Sequence, residues 1–170
     1  MIYIALGANL ASERHGPPKE GLERALDRLE SYDIGLVRRS RWYRSAPVPA
    51  ADQPDYVNGV AQVDSELPPE ALMARLLEIE AEFGRRRGAA NAARVLDLDL
   101  IDYNGRILER KADKFNPALH LPHPRLGDRA FVLLPLSEIA PDWRDPRNGR
   151  PIGDLIAELP EGQDIGLLEP

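Results

Sequence analysis

Cysteine is absent from the 170 residues, which removes a disulfide framework, a thiolate metal site and a cysteine nucleophile together. Histidine is scarce, and His15, His120 and His123 are scattered without an H-x-x-x-H pair, so nothing suggests zinc. Lysine is nearly as rare. Only Lys19, Lys111 and Lys114 are lysines among 22 basic residues, so arginine carries nearly all the positive charge, as suits bidentate phosphate recognition. A GC-rich genome produces the same bias. No G-x-x-x-x-G-K-[ST] string occurs, which excludes a P-loop, and Gly7-Ala8-Asn9 is too short a signal for a dinucleotide fingerprint. No apolar run is long enough to span a membrane. Met1 to Leu10 lacks a cationic flank and reads as a first strand, not a signal peptide, so a cytoplasmic protein is expected.

What is present describes an ordinary soluble chain, 43% hydrophobic and 29% charged, long enough for a single domain over residues 1–170 with a full core. The net charge of -6 argues against nucleic acid held by bulk electrostatics.

Ile2, Ile4 and Leu6 alternate with Tyr3 and Ala5 as an opening strand. Pro17-Pro18 starts a helix whose apolar stripe is Leu22, Ala25, Leu26 and Leu29, running to about Glu30. Ile34 to Ser45 reads as a second strand, ended by the proline-rich loop 46–54, and Tyr56 to Val63 as a third. Pro68-Pro69 opens a second helix, with Leu72, Met73, Leu76, Leu77, Ile79 and Phe83 on its stripe, and Gly84 closes it. A strand over Val95 to Ile101 follows, and Asn104-Gly105 signals a tight hairpin into Arg106 to Glu109. The order strand, helix, strand, strand, helix, strand predicts an α+β fold, a ferredoxin-like βαββαβ sandwich with an added hairpin and C-terminal helices. In the tail, Ala130 to Leu136 suits either helix or strand, and Ile152 to Leu159 a short helix.

The densest chemistry lies between Arg85 and Ile101. Strand alternation sends Leu96, Leu98 and Leu100 to one face and Asp97 and Asp99 to the other. Same-side neighbours on a strand lie roughly 7 Å apart at Cα, so the two carboxylates can converge on Mg2+ whose remaining coordination is phosphate oxygen. The alternative is a half-exposed strand whose outer face happens to carry a residue that strands disfavour. Arg85, Arg87 and Arg94 can neutralise charge spread over phosphoryl oxygens, or solvate a loop. Glu80 falls near the apolar stripe of its helix, a place open both to a sheltered carboxylate facing the arginines and to a solvated one. His123, between prolines with Arg125 and Arg129 downstream, suits a phosphate contact or a loop cap. Tyr56 and Asn58 share a strand face and, with Phe131, offer an amide and rings for a flat heterocycle; a core aromatic beside a turn amide is the plainer account.

Taken together, these residues resemble the 6-hydroxymethyl-7,8-dihydropterin pyrophosphokinase family. The likeness rests on Ile4 to Leu10, Tyr43-Arg44-Ser45-Ala46-Pro47, Asp52 to Asn58, Arg94 to Leu100, Pro122 to Leu126, Phe131 to Leu136 and Glu138-Ile139-Ala140-Pro141. The D-L-D-L block with its upstream arginine and the Q-P-D-Y-x-N block are specific in combination. The resemblance implies an ATP-dependent diphosphotransferase of folate biosynthesis that moves pyrophosphate from ATP to the pterin alcohol. It implies that Asp97 and Asp99 hold two Mg2+ ions and, with Arg85 and Arg94, form the catalytic set. It further implies that Asn58, Tyr56 and Phe131 hold the pterin, with backbone groups of Ser45, Ala46 and Val48 reading its edge. Glu80, Arg85, Arg87, Arg94, His123 and Arg129 would bind ATP or organise its phosphates. The expected partners are these two small molecules, with no nucleic acid and no membrane, and the expected state is a monomer.

One departure stands out. Many family members carry R-W-G-P-R where this chain has Asn91-Ala92-Ala93-Arg94, so the loop tryptophan that covers the pterin is missing, and a family tyrosine is replaced at Pro124. An apolar group from Leu119 to Leu121 is expected to take its place, with 116–125 and 85–93 closing over the substrates together. Two other classes use similar residues: a two-metal phosphohydrolase, which would release phosphate without pterin, and a ferredoxin-like small-molecule or RNA-binding regulator, against which the acidic charge argues.

Overall fold

The computed structural model describes residues 1–85 and 92–170. Its first strand, β1 (Ile2–Ala8), alternates as the sequence predicts, with Ile2, Ile4, Leu6 and Ala8 in one core cluster and Tyr3 and Ala5 against another. Helix α1 (Pro18–Arg28) carries proline in its first turn and buries Leu22, Ala25 and Leu26, then tightens into a 3-10 turn at Leu29–Tyr32.

The single strand expected over Ile34 to Ser45 is two, β2 (Gly35–Arg39) and β3 (Tyr43–Ser45). Both lie on the same side of β4 (Tyr56–Asp64) and are separated by Ser40-Arg41-Trp42. The Ser40 hydroxyl accepts the Val60 N–H at 3.0 Å, and Trp42 turns into the core. A Cβ on Gly59 would meet the Trp42 ring at 2.7 Å, so the indole fits only over glycine.

Helix α2 (Pro69–Glu82) buries Leu72, Leu76, Ile79 and also Glu80. Gly84, at φ +90, closes it in a conformation that side chains resist, and the Arg85 N–H returns to the Glu80 carbonyl at 3.0 Å. The chain then enters β5 (Asp97–Tyr103), and the main sheet runs β5-β1-β4, with β2 and β3 sharing the far side of β4. All these pairings are antiparallel, which is the predicted split arrangement.

Asn104 and Gly105 both take positive φ, 53 and 68, as a tight reverse turn requires. The strand they feed, β6 (Leu108–Arg110), does not fold back on β5. It pairs with β7 (Leu119–Leu121), so the added hairpin is a separate two-stranded sheet. Ala130 to Leu136 resolves as helix, α3 (Ala130–Ile139), followed by α4 (Ile152–Ala157). A last strand, β8 (Ile165–Leu167), unforeseen from the sequence, pairs with β3.

The sheet is therefore covered twice. Helices α1 and α2 lie over the leucine face of β5, while α3 and α4 cover the side of Tyr3, Val60 and Ile101. Each fully buried Leu or Ile contributes about 2 kcal/mol. Asp97 and Asp99 lie on the α3 side, near the N-terminal end of that helix, outside both apolar clusters.

Candidate active site

A cleft opens between the sheet and the start of α3. Its floor is β1 at Ala5 and Gly7, β4 at Tyr56 and Asn58, and β5 at Asp97 and Asp99; Phe131 and Val132 form a wall, and Ser45, Ala46, Val48, Arg94 and Arg129 surround the mouth. Gly7 pairs with Asp97 on one side and Asn58 on the other. A Cβ there would stand 3.1 Å from the Asn58 amide oxygen, so glycine keeps that amide clear.

β5 is an edge strand of the main sheet, and the outward N–H of Leu98 needs a partner from elsewhere. Glu80 supplies it. Its carboxylate is 2% exposed and accepts that N–H at 2.7 Å. The same carboxylate pairs closely with Arg85, whose guanidinium also donates to Asp97 Oδ1 at 2.9 Å. Burial pushes the Glu80 carboxyl up to about 7, against the pull of the Leu98 N–H and the Arg85 charge. Of the two accounts open at Glu80, the sheltered carboxylate is the one found.

Asp97 and Asp99 are less well satisfied. Their side chains stay 34% and 30% exposed. Burial raises both carboxyls above the usual range, the Asp99 charge raises Asp97 further, and the positive charges of Arg85, Arg94 and Arg129 only partly offset this. Paired carboxylates held close against their own repulsion, in a cleft they share with arginines, fit a hard dication. Among the described residues no three acidic or histidine side chains group as a metal set.

His123 sits with its Nε2 3.9 Å from Asp99 Oδ2, and its backbone N–H donates to the Ile101 carbonyl at 2.9 Å. Burial first, then Arg129 and Arg125, push its pKa down to about 4, so the ring is neutral near pH 7. The Arg129 guanidinium lies over the Phe131 ring at 5.3 Å. The Asn58 amide donates to Ser45 Oγ at 2.7 Å, and the Tyr56 hydroxyl to the Ala92 carbonyl at 3.3 Å.

The structure thus gathers Arg85, Arg94, Asp97, Asp99, Glu80, His123, Arg129, Ser45, Ala46, Val48, Tyr56, Asn58 and Phe131 in and around one cleft. Arg87, expected among the nucleotide contacts, lies outside the described residues. Two details differ from expectation. The Ala46 N–H is already donated to the Asp164 carbonyl at 3.0 Å, so any reading of a ligand edge by this backbone falls to its carbonyl. Leu119 and Leu121 do not replace the missing tryptophan: pairing of β7 with β6 turns both into the core with Leu98 and Leu100, away from the cleft lining.

Sequence reasoning missed Asn9. It is 2% exposed, and its side chain bonds both to the Arg94 backbone and to the 53–54 loop. The one signal was an amide directly after a strand that ends in Gly-Ala.

Residues 3–141 match the family described as 7,8-dihydro-6-hydroxymethylpterin-pyrophosphokinase. The chain is 42% identical over 157 residues to a Synechocystis 2-amino-4-hydroxy-6-hydroxymethyldihydropteridine pyrophosphokinase, covering 92% of this chain and 74% of that one. It is 41% identical to a Pseudomonas aeruginosa protein of the same name, covering 94% of this chain and 91% of the other. Among solved structures it resembles a Plasmodium falciparum HPPK-DHPS with pteroate, at TM-score 0.71 and 12% identity, over 92% of this chain and 44% of that longer one. A profile spanning most of the sequence, relatives above 40% identity over 74% and 91% of their own lengths, and a shared fold agree, and the chain belongs to the 7,8-dihydro-6-hydroxymethylpterin-pyrophosphokinase family.

Proposed function

We propose that the α3-side cleft is where this pyrophosphokinase of folate synthesis brings ATP and 6-hydroxymethyl-7,8-dihydropterin together. The products are AMP and the pterin diphosphate. The transferred group arrives intact, so the hydroxymethyl oxygen attacks the β-phosphorus, the bond from that phosphorus to the α-bridging oxygen breaks, and the hydroxyl proton is lost. The observation that carries the reading is the Asp97 and Asp99 pair facing arginines across a cleft whose opposite end offers a ring and an amide.

Asp97 and Asp99 would hold two Mg2+ ions, which when bound would neutralise charge on the phosphate oxygens and make the attacking hydroxyl more acidic. Arg94 and Arg129, both at the cleft, would bind phosphate oxygens through their guanidinium forks. Arg85 would do so after leaving Asp97, with Glu80 keeping it close. His123, neutral at pH 7, is suited to donate one N–H to a phosphate without adding charge. Phe131 and Tyr56 would flank the pterin, and Asn58, locked by Ser45, would fix its hydrogen-bonding edge. With little covalent work to do, positioning and electrostatics carry the rate.

Described residues of one chain line the cleft, and the reading extends to a monomer of one domain over 1–170, acting in the cytoplasm on two small molecules. No helix among the described residues is long and apolar enough to cross a membrane. The test is product analysis with ATP, Mg2+ and the pterin alcohol: AMP and pterin diphosphate in equal amounts, strictly dependent on pterin, are expected. Phosphate release without pterin would replace this reading with a hydrolase.

A further inference from the structure

Arg94 reaches the cleft from residues 92–96, a segment without helix or strand. An arginine on irregular backbone positions its charge only as well as that backbone is held. Three hydrogen bonds hold the Arg94 peptide groups, all from the two residues that follow β1, and the Tyr56 hydroxyl holds the neighbouring Ala92 carbonyl. The N–H groups of Asn9 and Leu10 donate to the Arg94 carbonyl at 2.9 and 3.0 Å, and the Arg94 N–H donates to the Asn9 side-chain oxygen at 2.7 Å. The other end of the same carboxamide donates to Gln53 Oε1 and to the Pro54 carbonyl, both at 3.1 Å. That loop leads directly into Tyr56 and Asn58 on β4.

We infer that Asn9 is a positioning residue that sets the distance between the two substrates, its oxygen fixing Arg94 on the phosphate side and its amide nitrogen fixing the loop on the pterin side. The inference rests on the phosphate role proposed for Arg94. A carboxamide suits the place because it accepts at one end and donates at the other, and at 2% exposure water does not substitute for it. The position in the fold suits the role. Strand β1 runs between β4 and β5, which carry the two halves of the cleft, and Asn9 is the first residue beyond it. In-line attack is sensitive to such a distance: a misplacement of about 1 Å costs roughly 100-fold.

The experiment compares Asn9→Ala, Arg94→Ala and the double variant. In Asn9→Ala the two backbone bonds to the Arg94 carbonyl remain, so folding should survive. The expected result is a kcat lower by about 10- to 100-fold, with ATP Kd within about threefold of wild type and pterin Kd raised about tenfold by loss of the two donations to the 53–54 loop. In the Arg94→Ala background the same change should cost less than about threefold more, because the residue it positions is gone. Asn9→Asp keeps the acceptor and loses both donations, so kcat should hold within about threefold while pterin Kd rises about tenfold. Wild-type kcat in Asn9→Ala, full multiplication of the two losses, or equal damage to both parameters in Asn9→Asp would each overturn the inference. Wild-type turnover in Arg94→Ala would instead overturn the role proposed for Arg94.

Discussion

Asp99 and Asp102 stand on one strand and face the same side of the sheet, Asp99 by simple alternation and Asp102 because a bulge at Ile101 shifts the register. Asp102 is 4% exposed. It accepts the Trp143 indole N–H at 2.8 Å and the Gly105 N–H at 2.9 Å, tying α3's following loop and the 104–105 turn to the end of β5. Among the described residues, Asp99 and its neighbour Asp97 have no such pair of neutral donors. They repel each other, and their carboxyls are raised instead of being settled. Identical side chains on one strand thus do opposite work. Satisfaction by fixed donors makes Asp102 a structural carboxylate, whereas charge held against its own preference suits Asp97 and Asp99 to the ligand role proposed for them.

The largest expected effect comes from Asp97→Asn or Asp99→Asn. Each removes a carboxylate proposed to hold metal, and kcat should fall by at least about 1,000-fold. Stability should move the other way. In the native state both carboxyls keep protons that the unfolded chain gives up, so at neutral pH their ionisation favours unfolding, and a neutral amide relieves that cost. Steady-state turnover with calorimetry checks both halves, and a melting point well below wild type would show that the pair supports the fold after all.

Next in size, Arg94→Lys should lose about 2 to 4 kcal/mol of transition-state stabilisation, because an ammonium cannot reproduce a bidentate phosphate contact. A kcat/KM near wild type would remove Arg94 from the phosphate site. At the other end of β5, Asp102→Ala should cost about 2 kcal/mol of stability, since the buried Trp143 indole N–H and the Gly105 N–H of the turn lose their acceptor, while kcat stays within about threefold. Denaturant unfolding beside turnover separates these cases. Loss of activity in a fully folded Asp102→Ala protein would erase the contrast between the two ends.

That contrast also marks what the sequence could and could not reveal. Alternation in Leu96 to Leu100 placed Asp97 and Asp99 correctly, because period two is a local property of any strand. Carried onward, the same rule puts Asp102 on the leucine face; the bulge that moves it is set by pairing with β1, nearly a hundred residues earlier in the chain, and leaves no periodic trace. Glu80 was ambiguous for a related reason, since only the exposed edge of β5 explains a buried carboxylate on α2. Leu119 and Leu121 were misplaced because the partner of β7 is β6 and not the substrate cleft. Helix starts and stops, by contrast, were written in prolines and glycines at fixed positions, and α1 and α2 begin where those residues said.

The smallest effect concerns His123, which touches the functional end of β5 from the side. Burial, then Arg129 and Arg125, hold its pKa at about 4 against an ordinary 6.5, while Asp97 pulls the other way. Between those values the unfolded chain binds a proton on this ring and the native chain does not. Its contribution to stability is therefore complete above about pH 6.5 and is lost as pH falls toward 4, reaching about 2 kcal/mol at pH 5. Glu80, Asp97 and Asp99, with raised carboxyls, titrate in the opposite sense and mask the trend in the wild-type protein. His123→Gln keeps a polar side chain and drops the titration, so subtracting the two unfolding curves cancels the carboxylates. The variant should match wild type within about 1 kcal/mol at pH 7 and gain on it steadily down to pH 4.5. Parallel curves across that range would mean that the native imidazole titrates as it does in water, and that the neutral ring proposed to meet the phosphates is not what the cleft holds.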